Sequence, residues 1–277
     1  MPAVGLLRSV SVLVPAYDAM PHVGAAIGSA VEQLGPDDEL VVQDSCSTDG
    51  TAEVLDAAAD DDPRVRVAHE KDRGQSDALN RALARAGGQL VGWLNADDLL
   101  LPGALAAVRR EVDRLGHVPD VVVGGWQLLG ATGGVLRREP AVALARRRLF
   151  THGCYAFSGA VLVRRELLHE VGGYDEDLHY TMDYDLMLRL VDADPEQLVV
   201  DHPLAALRYH DASKSGGAGR RFFTEALGVR RGHLRSAADL LPAAAGTLVH
   251  GVGVATARLR FSDAYSAAVK KPDKPHP

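Results

Sequence analysis

Short apolar runs alternate with stretches of helical period through the first hundred residues. Ser9 to Val14 (SVSVLV), Glu39 to Val42 (ELVV), Val65 to Ala68 (VRVA) and Leu90 to Leu94 (LVGWL) read as strands. Between them, Pro21 to Gln33, Thr51 to Ala59 and Ser76 to Ala86 carry apolar positions at helical spacing. Pro21 suits a first helical turn, and Ser47, Thr48 and Asp49 offer N-cap oxygens to the second helix. Gly87-Gly88 ends the third. Strands this apolar, alternating with helices, predict an α/β fold: a mostly parallel sheet covered by helices on both faces. Right-handed crossovers then gather the C-terminal strand ends along one edge, where open α/β sheets bind ligands.

That edge receives Pro15-Ala16-Tyr17-Asp18, Asp44-Ser45 and Asn95-Ala96-Asp97-Asp98. Adjacent carboxylates at the end of an apolar strand are costly unless compensated, and a divalent cation compensates them well. Mg²⁺ or Mn²⁺ held by one or two carboxylates completes its shell with substrate phosphates. The competing reading is a solvated turn whose acids cap a helix starting near Pro102. A G-x-G-x-x-G turn is absent after the first strand, which counts against a dehydrogenase.

The second half is less regular. Asp120 to Gly124 and Gly159 to Val163 read as strands, Tyr184 to Val191 as a helix, and Leu198 to Val200 and Leu204 to Leu207 as two short strands. From about Gly217 the pattern is two or three helices, and the Lys/Pro-rich tail 270–277 is expected to be disordered. The expected division is 1–215 for the sheet domain, 216–269 for the helical extension and 270–277 for the tail.

Composition adds exclusions. The 277 residues carry a net charge of −7, which argues against general nucleic-acid binding. The N-terminus does not pattern as a signal peptide, and no run of about 18 apolar residues occurs. Cys46 and Cys154 lack metal-ligand spacing and read as free thiols of a reducing, cytoplasmic compartment. Arg220, Arg221, Arg230, Arg231, Arg235, Arg258 and Arg260 flank apolar stretches of the extension. Such helices either meet an anionic membrane surface peripherally, or pack on the sheet or form a homodimer interface.

Five blocks together resemble family 2 of the inverting glycosyltransferases, which have the GT-A fold. They are Ser11 to Asp18 (SVLVPAYD), Glu39 to Thr51 (ELVVQDSCSTDGT), Asp72 to Leu83 (DRGQSDALNRAL) running on to Asn95-Ala96-Asp97-Asp98, Gly172 to Asp175 followed by Met182 to Leu190 (MDYDLMLRL), and Arg208 to Ser215 (RYHDASKS). Asp18 stands for the family's usual Asn, Cys46 for Gly, Asn95 for a frequent Asp and Met182 for Glu. The resemblance covers roughly residues 9 to 215.

The resemblance implies transfer of a sugar from a nucleotide-sugar donor, usually a UDP-sugar, to an acceptor hydroxyl. It implies a donor nucleotide site at Pro15, Ala16, Tyr17, Asp18, Asp44, Arg73, Gly74, Asn95 and Asp97. It implies Mn²⁺ or Mg²⁺ at Asp98, with Asp97 and His210, and Asp183 as general base beside a structural Asp185. Lys214 would sit on a lid over the diphosphate. A helix N-terminus is expected to hold the Asp183 pKa low, with Asp185 opposing it. Two other readings stay open: a non-catalytic binding module on the same fold, and a sugar-1-phosphate nucleotidyltransferase.

Overall fold

The computed structural model describes residues 5–130, 133–209 and 219–247. Strand β1 (Val10–Ala16) is flanked in parallel by β2 (Glu39–Asp44) and β4 (Leu90–Trp93), and β3 (Val65–His69) continues in parallel beyond β2. Helices α1 (Val23–Val31), α2 (Thr51–Asp61) and α3 (Gln75–Arg85) make the crossovers. The short β5 (Leu99–Leu100) leads into α4 (Ala104–Leu115). The second half adds β6 (Val121–Leu129), β7 (Val135–Glu139), α5 (Arg146–His152), β8 (Val161–Arg164), α6 (Arg165–Glu170), α7 (Met182–Asp192), β9 (Gln197–Arg208) and α8 (Gly219–Gly232). Residues 237–247 are also helical.

The strand order is β3-β2-β1-β4-β8-β6-β9-β5, with β7 on β6. β8 runs antiparallel to both β4 and β6, while β6 and β9 are parallel. The architecture is therefore α/β, of GT-A type: a mostly parallel mixed sheet with C-terminal helices. Alternation along β1 explains the two faces. Val12 and Val14 enter one apolar cluster with α1 and α4, and Leu13 enters the other with α3 and α7.

One expectation needs correction. The two short strands near residues 198 and 204 are one strand, β9. Asp201-His202-Pro203 interrupts its apolar pattern, and the register against β6 shifts between Gly124 and Trp126. A side chain at Gly124 would meet Leu204 Cγ at 2.2 Å, so the bend needs that glycine.

Basic residues of the extension pack inward at one position and stay exposed at others. Arg230 is only 2% exposed; its Nε donates to the Tyr184 hydroxyl at 3.2 Å and its guanidinium to Thr247 Oγ1 at 3.2 Å. It is a packing residue, not a surface cation. Arg146 likewise turns inward to Asp192, Asp239 and the His233 carbonyl. Arg235 pairs with Asp192 at 2.8 Å, and Arg221 and Arg231 are exposed. The side chain of Arg220, Arg258, Arg260, the 215/216 boundary and the tail lie outside the described residues. No helix among the described residues is long and apolar enough to cross a membrane.

The two halves meet at Gly172-Gly173, both at positive φ. Asn80 of α3 pins the next residue: Tyr174 N–H donates to Asn80 Oδ1 at 2.9 Å and Asn80 Nδ2 to the Tyr174 carbonyl at 2.8 Å.

Two glycines give a contrasting stability prediction. A Cβ at Gly88 would lie 2.4 Å from the Ser11 backbone nitrogen, whereas one at Gly92 would meet Leu162 at an ordinary 3.5 Å. Gly88→Ala is expected to cost about 1–3 kcal/mol, as overpacking does. Gly92→Ala should be neutral, or stabilising by up to about 1 kcal/mol. Urea denaturation of both variants checks this, and equal midpoints would refute it.

Candidate functional site

A cleft of about 820 Å³ opens at the C-terminal ends of β1 and β4. Its walls come from both halves of the sheet and from α8. Pro15 and Ala16 end β1, and Tyr17, 61% exposed, stands at the rim with Lys71 Nζ 5.0 Å from its ring centroid. Asp18 has φ +42°, a left-handed conformation that Asn and Asp tolerate best, which accounts for the exchange of one for the other here. Its backbone N–H donates to Ser47 Oγ at 2.8 Å and its Oδ1 accepts from Thr48 N–H at 2.9 Å. Cys46, where the family pattern has Gly, has φ +58°. The usual glycine thus answers a backbone requirement.

Asp44 is fully buried and not part of the cleft lining, although Ser45 is. Its Oδ1 accepts from Ser47 Oγ at 2.5 Å, and its Oδ2 from Ser47 N–H at 3.1 Å and His69 Nδ1 at 2.9 Å. His69 reaches Asp56 with its other nitrogen at 2.9 Å, and the hydrogen bond to Asp44, then that to Asp56, raises its pKa. Arg73 points outward, 73% exposed, and pairs with Asp77 and Glu176; its neighbours Lys71, Asp72 and Gly74 line the cleft instead. One oxygen of Asp72 accepts the Gly74 N–H at 3.0 Å, and the other is buried with no hydrogen-bond partner among the described residues.

Asn95, Asp97 and Asp98 reach the cleft floor. Asn95 Oδ1 is fixed by Gln75 Nε2 at 2.7 Å and Trp93 Nε1 at 2.9 Å, so its amide nitrogen turns to Asp98 Oδ2 at 2.7 Å. The other Asp98 oxygen accepts the Arg208 N–H at 2.9 Å. Asp98 is fully buried, and burial, then the Asp97 charge, pushes its carboxyl up to about 8. Asp97 is only half-buried. Asp97 thus presents its carboxylate to the cleft, and Asp98 backs it.

Asp183 is the second residue of α7 and lines the same cleft. Its Oδ1 accepts the Tyr184 N–H at 2.7 Å, and the Cys154 thiol donates to Oδ2 at 3.5 Å. Its pKa is raised, because burial outweighs those donors. The expected lowering by the helix terminus is corrected: desolvation wins. Asp185 faces away, bound to Arg189 at 2.7 Å and His233 at 2.8 Å. Burial works to raise its carboxyl, but the His233 hydrogen bond and the Arg189 charge outweigh it and hold the group below the usual range.

The cleft therefore gathers Pro15, Ala16, Tyr17, Asp18, Gly74, Asn95, Asp97, Asp98 and Asp183 of the expected set, but not Asp44 or Arg73. His210 and Lys214 lie outside the described residues. Sequence reading missed Lys71, Asp72, Gln75, Cys154 and the α8 residue Phe222 as lining groups. Lys71 and Asp72 were detectable from their place beside the D-R-G block. Nothing local to Phe222 marks it.

Comparison with known proteins agrees with this geometry. The S. aureus TarS 1-349 structure in complex with UDP-GlcNAc superposes with a TM-score of 0.68 at 20% identity, over 86% of this chain and 71% of that one. The mannosyltransferase PcManGT from Pyrobaculum calidifontis, in complex with GDP-Man and Mn²⁺, gives 0.60 at 20% identity, over 95% and 81%. At such identities the likeness speaks for the fold. A glycosyltransferase of Rickettsia felis is 27% identical over 197 residues, covering 67% of this chain and 32% of its own. The chain spans about a third of the length of the first curated relatives it matches. The family model described as Glycosyl transferase family 2 matches residues 11–172, more than half of the chain. With the GT-A sheet and its acidic cleft, that match makes this chain a member of glycosyl transferase family 2.

Proposed function

We propose that the protein is an inverting glycosyltransferase that moves a sugar from a nucleoside-diphosphate donor to an acceptor hydroxyl. The observation that carries this reading is one cleft holding Asp97 and Asp98 on one side and a buried, raised-pKa carboxylate, Asp183, on the other. The acceptor oxygen attacks the anomeric carbon from the face opposite the leaving group. The bond from that carbon to the phosphate oxygen breaks, the nucleoside diphosphate departs with the electron pair, and the acceptor proton passes to Asp183. A transition state with oxocarbenium character is expected.

Tyr17 and Lys71 offer an aromatic face and a cation to the nucleotide, and the orphaned Asp72 oxygen is suited to a ligand N–H or O–H donor. The donor set of Asp97 and Asp98 suits a hard divalent cation, and an ionised Asp98 at this depth calls for one. No group of three or more His, Cys, Asp or Glu that could hold a metal occurs among the described residues. Phosphate and water would therefore supply the remaining ligands, with His210 as a proposed addition. Such an ion, when bound, offsets the charge of the departing diphosphate as a Lewis acid. The relatives' ligands make UDP- and GDP-sugars the first donors to screen.

Release of a nucleoside diphosphate with a new glycosidic bond is the test. Pyrophosphate release would instead identify the nucleotidyltransferase, and binding without turnover the non-catalytic module. Calorimetry of UDP and GDP with Mn²⁺ and with EDTA should show binding only with the cation. Equal affinity in both would remove the metal from the reading.

Asp183→Asn is expected to lower transfer by about 10²–10⁴, with nucleotide affinity within a few-fold of the parent. A base works ionised, so activity falls as pH drops through its pKa. Because burial raises that pKa, the acid limb of the kcat profile should lie above the ordinary carboxylate value of about 3.9. A limb at or below that value would contradict the assignment.

A further inference from the structure

Helix α8 carries one acid, Glu225, among the arginines Arg220, Arg221, Arg230 and Arg231. Its carboxylate ends four hydrogen bonds from one short segment. Tyr180 N–H (2.7 Å), Thr181 N–H (2.7 Å) and the Thr181 hydroxyl (2.9 Å) converge on Oε1, and His179 N–H (3.1 Å) reaches Oε2. Bonds to an ionised acceptor are the stronger kind. Burial works to raise the Glu225 carboxyl, but the Tyr180 and His179 N–H groups and Thr181 outweigh it and hold it below its ordinary range.

The gripped segment is the one that delivers Asp183. Thr181 immediately precedes α7 and would ordinarily cap it through its own hydroxyl. It makes no such cap here; the hydroxyl goes to Glu225. Asp183 lies two residues further on. Phe222 and Ala226, on the same helix as Glu225, line the cleft. The helix that supplies a cleft wall thus also fixes the backbone from which α7 springs.

We propose that Glu225 is a positioning residue of the transfer site: by gripping the 179–181 amides it sets the start of α7 and so the carboxylate of Asp183. Helix α8 is then part of the catalytic unit. The inference rests on the reading of Asp183 as the base. The groups facing Asp183 are the Cys154 thiol from the segment after α5, the Tyr184 N–H of its own helix, and Glu225 from α8. Asp97, Asp98 and Arg208 line the same cleft. Glu225 is among the charges that make Asp183 harder to ionise.

Glu225→Ala and Glu225→Gln in the full chain test this by three readouts. Hydrogen exchange of the 179–184 amides should quicken at least about tenfold in Glu225→Ala, with β1 unchanged. The kcat should fall about tenfold to a hundredfold, as small misplacements of reacting groups do, while UDP or GDP affinity stays within about threefold. Glu225→Gln keeps an acceptor oxygen but removes the charge, so it should recover part of the rate, and its acid limb should move to lower pH. Parental kcat in Glu225→Ala, unchanged exchange, or an unmoved limb in Glu225→Gln would each overturn the proposal. If Glu225→Ala does not fold, the Gln variant decides by its limb. If the parent chain transfers no sugar, the proposed function is at fault, and the exchange experiment still judges the grip.

Discussion

The hydrogen bond from the Arg208 N–H to Asp98 joins the two halves of this molecule at the point where chemistry is expected. Asp98 closes the loop between β4 and β5, on the chain leaving the parallel half, and Arg208 ends β9, in the mixed half. A buried carboxyl cannot sit at a sheet edge without donors, and these come from both sides: the Asn95 amide and the Arg208 backbone. Asn95 can donate because Gln75 and Trp93 occupy its oxygen. Even so, burial and Asp97 keep the Asp98 carboxyl up at about 8. The cleft floor is preorganised by these donors, and burial makes Asp98 costly to ionise.

That balance accounts for the unlike carboxylates around the cleft. Asp44 and Asp185 have charged or hydroxyl partners within 3 Å. Asp183 has only backbone amides and one thiol as donors among the described residues, and burial dominates it. The difference lies in neighbours, not residue type, which is why two acids two residues apart on α7 take opposite directions.

Much of this was legible in the chain itself. Continuous apolar strands with intervening helices gave the sheet edge, and the edge gave Pro15 to Asp18 and Asn95 to Asp98. The chain pattern does not show which way the side chains of Asp44 and Arg73 turn: a strand-end carboxylate can turn inward to a histidine, and a loop arginine can turn outward to an acid. Those choices depend on His69 and Glu176, 25 and 103 residues away respectively. β9 read as two strands because the polar Asp201-His202 breaks its pattern, and only the missing side chain of Gly124 on the neighbouring strand shows the break to be a bend. Glu225 had no local mark beyond being the lone acid of a basic helix.

The Gly172-Gly173 turn has a consequence for how such a protein diversifies. The stretch matched to the family ends at residue 172, before Asp183 and Glu225, although it includes Cys154, whose thiol reaches Asp183. Asn80 clamps the chain just beyond this turn from the nucleotide half. The turn is a seam: under the proposed function, residues C-terminal to it can change to suit a new acceptor while the Asn80 clamp holds Tyr174 in place. Under the proposed function, donor handling and acceptor choice can then drift at different rates within one polypeptide.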